Sequence, residues 1–154
     1  VLAITAKPAK PLRRLLAGTK GTADVVILDC PPGLSAVVEA VASVADVLLV
    51  PVVPEPLPFR ALDRFTEFLE ETRAASPKIV APFISMIDRR KPVHRRVEAE
   101  IRSRGGFLGA AVPESSAVAR MGEEQVPVVV SAPLSLAAAE YRKLWAEATE
   151  RAGL

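Results

Sequence analysis

Short runs of consecutive apolar residues recur along this sequence, and longer segments of helical period separate them. The runs read as strands at Val1 to Thr5, Val25 to Leu28, Val47 to Val52 and Ile79 to Ile84, with Phe107 to Val112 as a fifth. Several are apolar at every position rather than at alternate ones, the pattern of a strand buried on both faces. Alternation of this kind predicts an α/β fold, a mostly parallel sheet flanked by helices. With 154 residues, half of them apolar, the chain can bury one core, so a single domain over 1–154 is expected.

The intervening segments read as helices. Ser35 to Val44 opens on a serine cap, and Phe59 to Arg73 places Leu62, Phe65, Phe68 and Leu69 on one face. Pro92 to Arg104 stops at Gly105 and Gly106, which suit a helix end and a turn. Ser115 to Glu124 is a short helix, and Leu134 to Ala152 a terminal one with Ala137, Tyr141, Leu144, Trp145 and Ala148 inward. Tyr141 and Trp145 are therefore expected in the core. Prolines gather at strand ends (Pro31, Pro32, Pro51, Pro54, Pro56, Pro58), where a missing amide donor costs least.

Chemistry concentrates in the segment Ala23-Asp24-Val25-Val26-Ile27-Leu28-Asp29-Cys30-Pro31-Pro32-Gly33. Its apolar strand delivers Asp29 at the carboxyl end, where open α/β sheets bind ligands. A carboxylate there can hold Mg²⁺ through water, because this hard cation keeps much of its hydration. A strand-end aspartate serves equally well as a turn cap. Pro31 and Pro32 forbid continuation of a ladder, and Gly33 permits a tight turn.

Asp29-x-Pro31-Pro32 after four apolar residues, followed by a helix and by Asp46-Val47-Leu48-Leu49-Val50-Pro51-Val52, resembles the Walker B region of ParA/MinD/Soj-type deviant Walker P-loop ATPases. The resemblance runs on through Val50-Pro51 with Pro54-Glu55, Met86-Ile87-Asp88-Arg89-Arg90, Val112-Pro113-Glu114-Ser115, Gly122 to Val130, and Ala132-Pro133-Leu134-Ser135 with Tyr141. It implies the C-terminal portion of a partial P-loop NTPase fold, from Walker B onward, using ATP and Mg²⁺. By that resemblance Asp29 is the catalytic residue that positions Mg²⁺ and the attacking water, and Pro31, Pro32 and Gly33 belong to the nucleotide-sensing switch. Asp88, Pro113, Glu114 and Ser115 line the base pocket. The family also implies an ATP-dependent dimerising switch for DNA segregation or cargo positioning: a homodimer, non-specific DNA, a ParB-like stimulating partner, and a cytoplasmic or nucleoid location.

No Gly-x-x-x-x-Gly-Lys-Ser/Thr run occurs, and Gly18-Thr19-Lys20-Gly21 has the wrong spacing. Without that loop no amides cradle phosphates and no lysine reaches their oxygens, so this stretch alone is not expected to hydrolyse ATP. The sequence opens on Val1 already in a strand pattern, which reads as a cut edge with an upstream part. Two other functions stay open: a metabolic member of the same superfamily, and an interaction module without nucleotide. A cluster-binding member would need more cysteines than Cys30.

A net charge of +2 supports no nucleic-acid reading by itself. The cations are nevertheless clustered, at Arg89, Arg90, Lys91, Arg95 and Arg96, with Arg102 and Arg104 beyond. That run fits a solvated helix face with i to i+4 pairs, or a phosphate-contacting face of the kind the resemblance implies. His94 within it reads as a surface histidine, and Cys30 as a small apolar side chain at a strand end. One cysteine makes no internal disulfide and fits a reducing cytoplasm. The longest apolar runs fall well short of the roughly 20 residues of a membrane span, and the terminal helix lacks the faces of a membrane anchor, so no membrane is expected.

Overall fold

A computed structural model describes residues 9–71 and 79–154. Its elements are α1 (Ala9–Ala17), α2 (Ala36–Ala42), β1 (Val47–Val52), α3 (Pro56–Glu71), β2 (Ile79–Ile87), α4 (Pro92–Arg104), β3 (Ala111–Pro113), α5 (Ser116–Glu124), α6 (Val128–Ser131) and α7 (Leu136–Ala152). The class is α/β, as the alternation predicts. The chain divides into two compact units, Val1–Asp46 with Asp63–Lys78, and Val47–Leu62 with Ile79–Leu154.

The second unit holds the sheet. β2 is central and runs parallel to both neighbours, in the order β1-β2-β3. Val47 to Val52 pair with Ile79 to Ile84 without a break. Between Ile84↔Ala111 and Ile87↔Pro113 the register slips, and Met86 takes a φ of 55° there. One extra residue in β2 is thus looped out as a bulge.

Side chains of β2 alternate between two cores, as a strand's period of two requires. Ile84 and Ile87 join Phe59, Val97, Ile101 and Ala111 on the α4 side. Ala81 and Phe83 join Leu108, Ala110, Val112 and Leu144 on the other, where Tyr141 of α7 packs. Burying side chains the size of Ile84 and Ile101, 1% and 0% exposed, stabilises by roughly 2 kcal/mol each.

Helix boundaries follow the sequence signals. Ser35 caps α2 by accepting from the Val38 amide, Ser115 caps α5 from Ala117, and Ser135 caps α7 from Ala138. α4 spans the expected residues and stops at Gly105 and Gly106, with φ of 74° and 82°. α3 begins three residues earlier than Phe59, because Pro56 and Pro58 fit a first turn whose amides need no intrahelical acceptor.

Four expectations are corrected. Val25 to Leu28 forms no strand: no described strand pairs with it, and Val25, Val26 and Ile27 are 40%, 43% and 79% exposed. An apolar run becomes a strand only where a neighbour takes its backbone hydrogen bonds. The fifth strand shrinks from Phe107 to Val112 down to Ala111–Pro113, since the Ala110 amide ahead of it goes to the Glu147 carboxylate of α7 rather than to a strand carbonyl. Trp145 is 51% exposed rather than core, because the inner face of α7 is built by Ala137, Ala138, Leu144 and Ala148. His94 is not a surface residue; it is 1% exposed. The expected strand Val1 to Thr5 lies outside the described residues.

In the first unit, α1 and α2 are tied by an Arg13 guanidinium donating to the Ser43 carbonyl at 3.1 Å. Val38, Ala40, Val41 and Ala42 of α2 are buried. α1 and α6 were not legible as helices in the sequence.

Candidate nucleotide site

In the first unit, the segment carrying Asp29 is exposed and without regular structure, and Asp29 makes no hydrogen bond or ion pair among the described residues. Pro31, Pro32 and Gly33 are exposed as well. Gly33 has a φ of 95°, a left-handed backbone that side-chain-bearing residues rarely adopt, so the glycine is required there. Beside Asp29, burial first and the aspartate charge second push the Cys30 thiol up, which keeps it protonated and unreactive. One unpaired carboxylate is a hard oxygen donor of the kind Mg²⁺ accepts alongside water. No cluster of three or more His, Cys, Asp or Glu occurs among the described residues, so any metal held here would keep most of its waters.

In the second unit, the carboxyl ends of β2 and β3 bring Asp88 and Pro113 to Ser115 together. Ile87 faces Pro113 across the ladder, and the Glu114 amide donates to the Ile87 carbonyl at 3.0 Å. Lys91 reaches across to the Glu114 carboxylate at 3.1 Å. The Asp88 carboxylate accepts from the Arg90 amide and Nε at Oδ1, each at 2.9 Å, and from Arg90 Nη2 at Oδ2, 3.0 Å. These Arg90 hydrogen bonds hold the Asp88 carboxyl down at about 2. Ser115 spends its hydroxyl on the α5 cap.

The loop and α4 also gather the expected basic residues, but most of them meet carboxylates. Arg89 grips Glu98 through Nε and Nη2 at 3.1 and 2.8 Å, and Arg102 shares the same carboxylate. Hydrogen bonding from Arg89, ahead of that from Arg102, holds the Glu98 carboxyl below its usual range. Arg90 pairs with Asp88 and Lys91 with Glu114. Arg95 donates to the Arg89 carbonyl at 2.8 Å, and Arg96 is exposed with no ion pair among the described residues.

His94 and Glu55 escape the sequence reading. The Asp88 amide donates to His94 Nδ1 at 3.0 Å, while Nε2 lies 3.4 Å from Glu55 Oε1. The signal was present: His94, Val97 and Ile101 stand at i, i+3 and i+7, one face of a helix, and all three are buried.

A parallel sheet with helices on both faces and charged loops gathered at the carboxyl ends of its strands defines a doubly wound α/β protein with its ligand side at those loops. A family model described as an AAA domain matches residues 1–80. The chain belongs to that family, as a ParA/MinD-type P-loop ATPase family member. It is 29% identical over 133 residues to the chromosome-partitioning ATPase Soj of Thermus thermophilus, covering 83% of this chain and 53% of that one. A ParA family protein of Mycoplasma pneumoniae is 24% identical over 119 residues, covering 73% of this chain and 44% of the relative. The maintenance of carboxysome distribution protein A of Halothiobacillus neapolitanus is 30% identical over 84 residues, covering 53% and 39%. The chain thus spans about half the length, or less, of these curated relatives. Its fold is similar to that of the cell division ATPase MinD of Pyrococcus furiosus, with a TM-score of 0.67 at 19% identity over 92% of this chain and 58% of that one.

Proposed function

We propose that this chain carries the magnesium-side aspartate and the base-pocket loops of an ATP-dependent partition or positioning switch, one that dimerises on ATP and is reset by hydrolysis. The observation that carries the reading is the junction of β2 and β3. The Glu114 amide bonded to Ile87 sets Asp88 and Glu114 at neighbouring strand ends, the place where such sheets take ligands. Asp88 and Glu114, with Pro113 and Ser115, would face the base. Asp29, exposed and unpaired among the described residues, would hold Mg²⁺ through water. Magnesium bound with nucleotide neutralises phosphate charge.

DNA contact, in this reading, falls to the exposed side of α4. Arg89, Arg90 and Lys91 already have carboxylate partners, so Arg95 and Arg96 are the cations best placed to meet phosphates. A ParB-like partner would stimulate hydrolysis in the whole protein.

Phosphate release with Mg²⁺ and ATP tests the assignment. These 154 residues contain no phosphate-cradling loop, so no turnover above background is expected. Turnover that disappears in Asp29→Ala would contradict this part of the proposal.

A further inference from the structure

We propose that His94 is the positioning residue of the Asp88 turn: it ties the loop after β2 to the loop after β1 and thereby fixes the direction of the Asp88 carboxylate. The use of that carboxylate on a base rests on the reading above.

His94 is the one buried polar or charged residue among those described. Packing alone does not call for an imidazole there, since Val97 and Ile101 fill the same helix face with hydrocarbon. Burying a polar ring costs free energy unless its nitrogens are bonded, and both have polar partners here. An amide can only donate, so Nδ1 must present its lone pair to Asp88 and the ring proton sits on Nε2, facing Glu55. The ring thus reads two loops, one through each nitrogen. The rest of the turn depends on that anchor. The Lys91 amide donates to the Asp88 carbonyl at 3.0 Å and the Arg90 amide to Asp88 Oδ1 at 2.9 Å, so a shift of the Asp88 backbone moves the carboxylate with it.

The experiment uses the ¹⁵N-labelled chain with His94→Asn, His94→Gln and His94→Leu. An asparagine oxygen can stand where Nδ1 stands, whereas glutamine reaches only towards Glu55. The Asp88 amide should exchange at the wild-type rate in His94→Asn and about tenfold faster in His94→Gln and His94→Leu, the ratio one hydrogen bond is worth. In the latter two the Asp88 carboxyl should titrate above its value of about 2. If His94→Leu does not fold, the Asn and Gln variants decide. An Asn variant as fast as Gln, or an Asp88 amide and carboxyl unmoved by Gln and Leu, overturns the inference. Adenosine is titrated into the same samples. A wild-type chain that ignores it while Asp88 follows the expected pattern defeats the base-pocket reading and leaves the positioning role intact.

Discussion

At the scale of single residues, Met86 and Asp88 illustrate how the end of β2 is shaped. Met86 holds a left-handed backbone at φ 55° inside the bulge, which costs an L-residue about 1–2 kcal/mol. Its side chain is 55% exposed, so little burial is lost on removing it. Met86→Gly should therefore lie within about 0.5 kcal/mol of wild type or be more stable, while Met86→Val, β-branched, should lose about 1–2 kcal/mol in urea unfolding. Asp88 carries a pH dependence of fixed sign. Its folded value, about 2, lies below that of an unfolded carboxylate, so its stabilising contribution is complete above the unfolded value near 4 and disappears as pH falls towards 2. Arg90→Ala should move the Asp88 titration upward in carboxyl-carbon NMR and narrow that acid dependence. None of this was readable beforehand: Asp88 was singled out by resemblance, but its Arg90 clasp and its His94 anchor require the turn that brings them together.

At the scale of elements, helices were legible where caps and periodicity agreed, as at α2, α4, α5 and α7. Strands were legible only where the sheet supplies a neighbour. The run Val25 to Leu28 is as apolar as β1, yet only β1 has a partner among the described strands. The end of the sheet shows the same principle from the other side. Glu140 and Glu147 of α7 accept from the Ala111 and Ala110 amides at 2.7 and 3.0 Å, doing for β3 what another strand's carbonyls would do. Ala111 is 2% exposed, so Glu140→Ala strands a buried amide and should cost about 1–3 kcal/mol in urea unfolding, with Glu140→Gln recovering most of it. On α4, Arg95 and Arg96, without carboxylate partners among the described residues, predict weak duplex binding with a log-log salt slope of about −2, which Arg95→Glu with Arg96→Glu should abolish. A slope unchanged in that double variant would place the DNA contacts elsewhere.

At the scale of the whole molecule, fold class and family were legible because they depend on the order of strand and helix signals, which survives local misreadings. Of the candidate site, only the choice of residues could be read ahead of the structure. The resemblance selected Asp29, Pro31 to Gly33, Asp88 and Pro113 to Ser115, but it could not show that the basic loop is largely neutralised from within. The count of cations along the loop and α4 thus overstates what they offer a polyanion. No helix among the described residues is long and apolar enough to cross a membrane. The central claim is that the loops after β2 and β3 read a nucleobase, and amide chemical-shift mapping tests it most directly, with adenosine, ATP and tripolyphosphate titrated separately. Adenosine and ATP should both shift Asp88 to Lys91 and Glu114 to Ser115, with dissociation constants of about 1 mM or weaker in the absence of a phosphate cradle. Shifts caused equally by tripolyphosphate and centred on Arg95 and Arg96, with Asp88 and Glu114 silent to adenosine, would contradict the account.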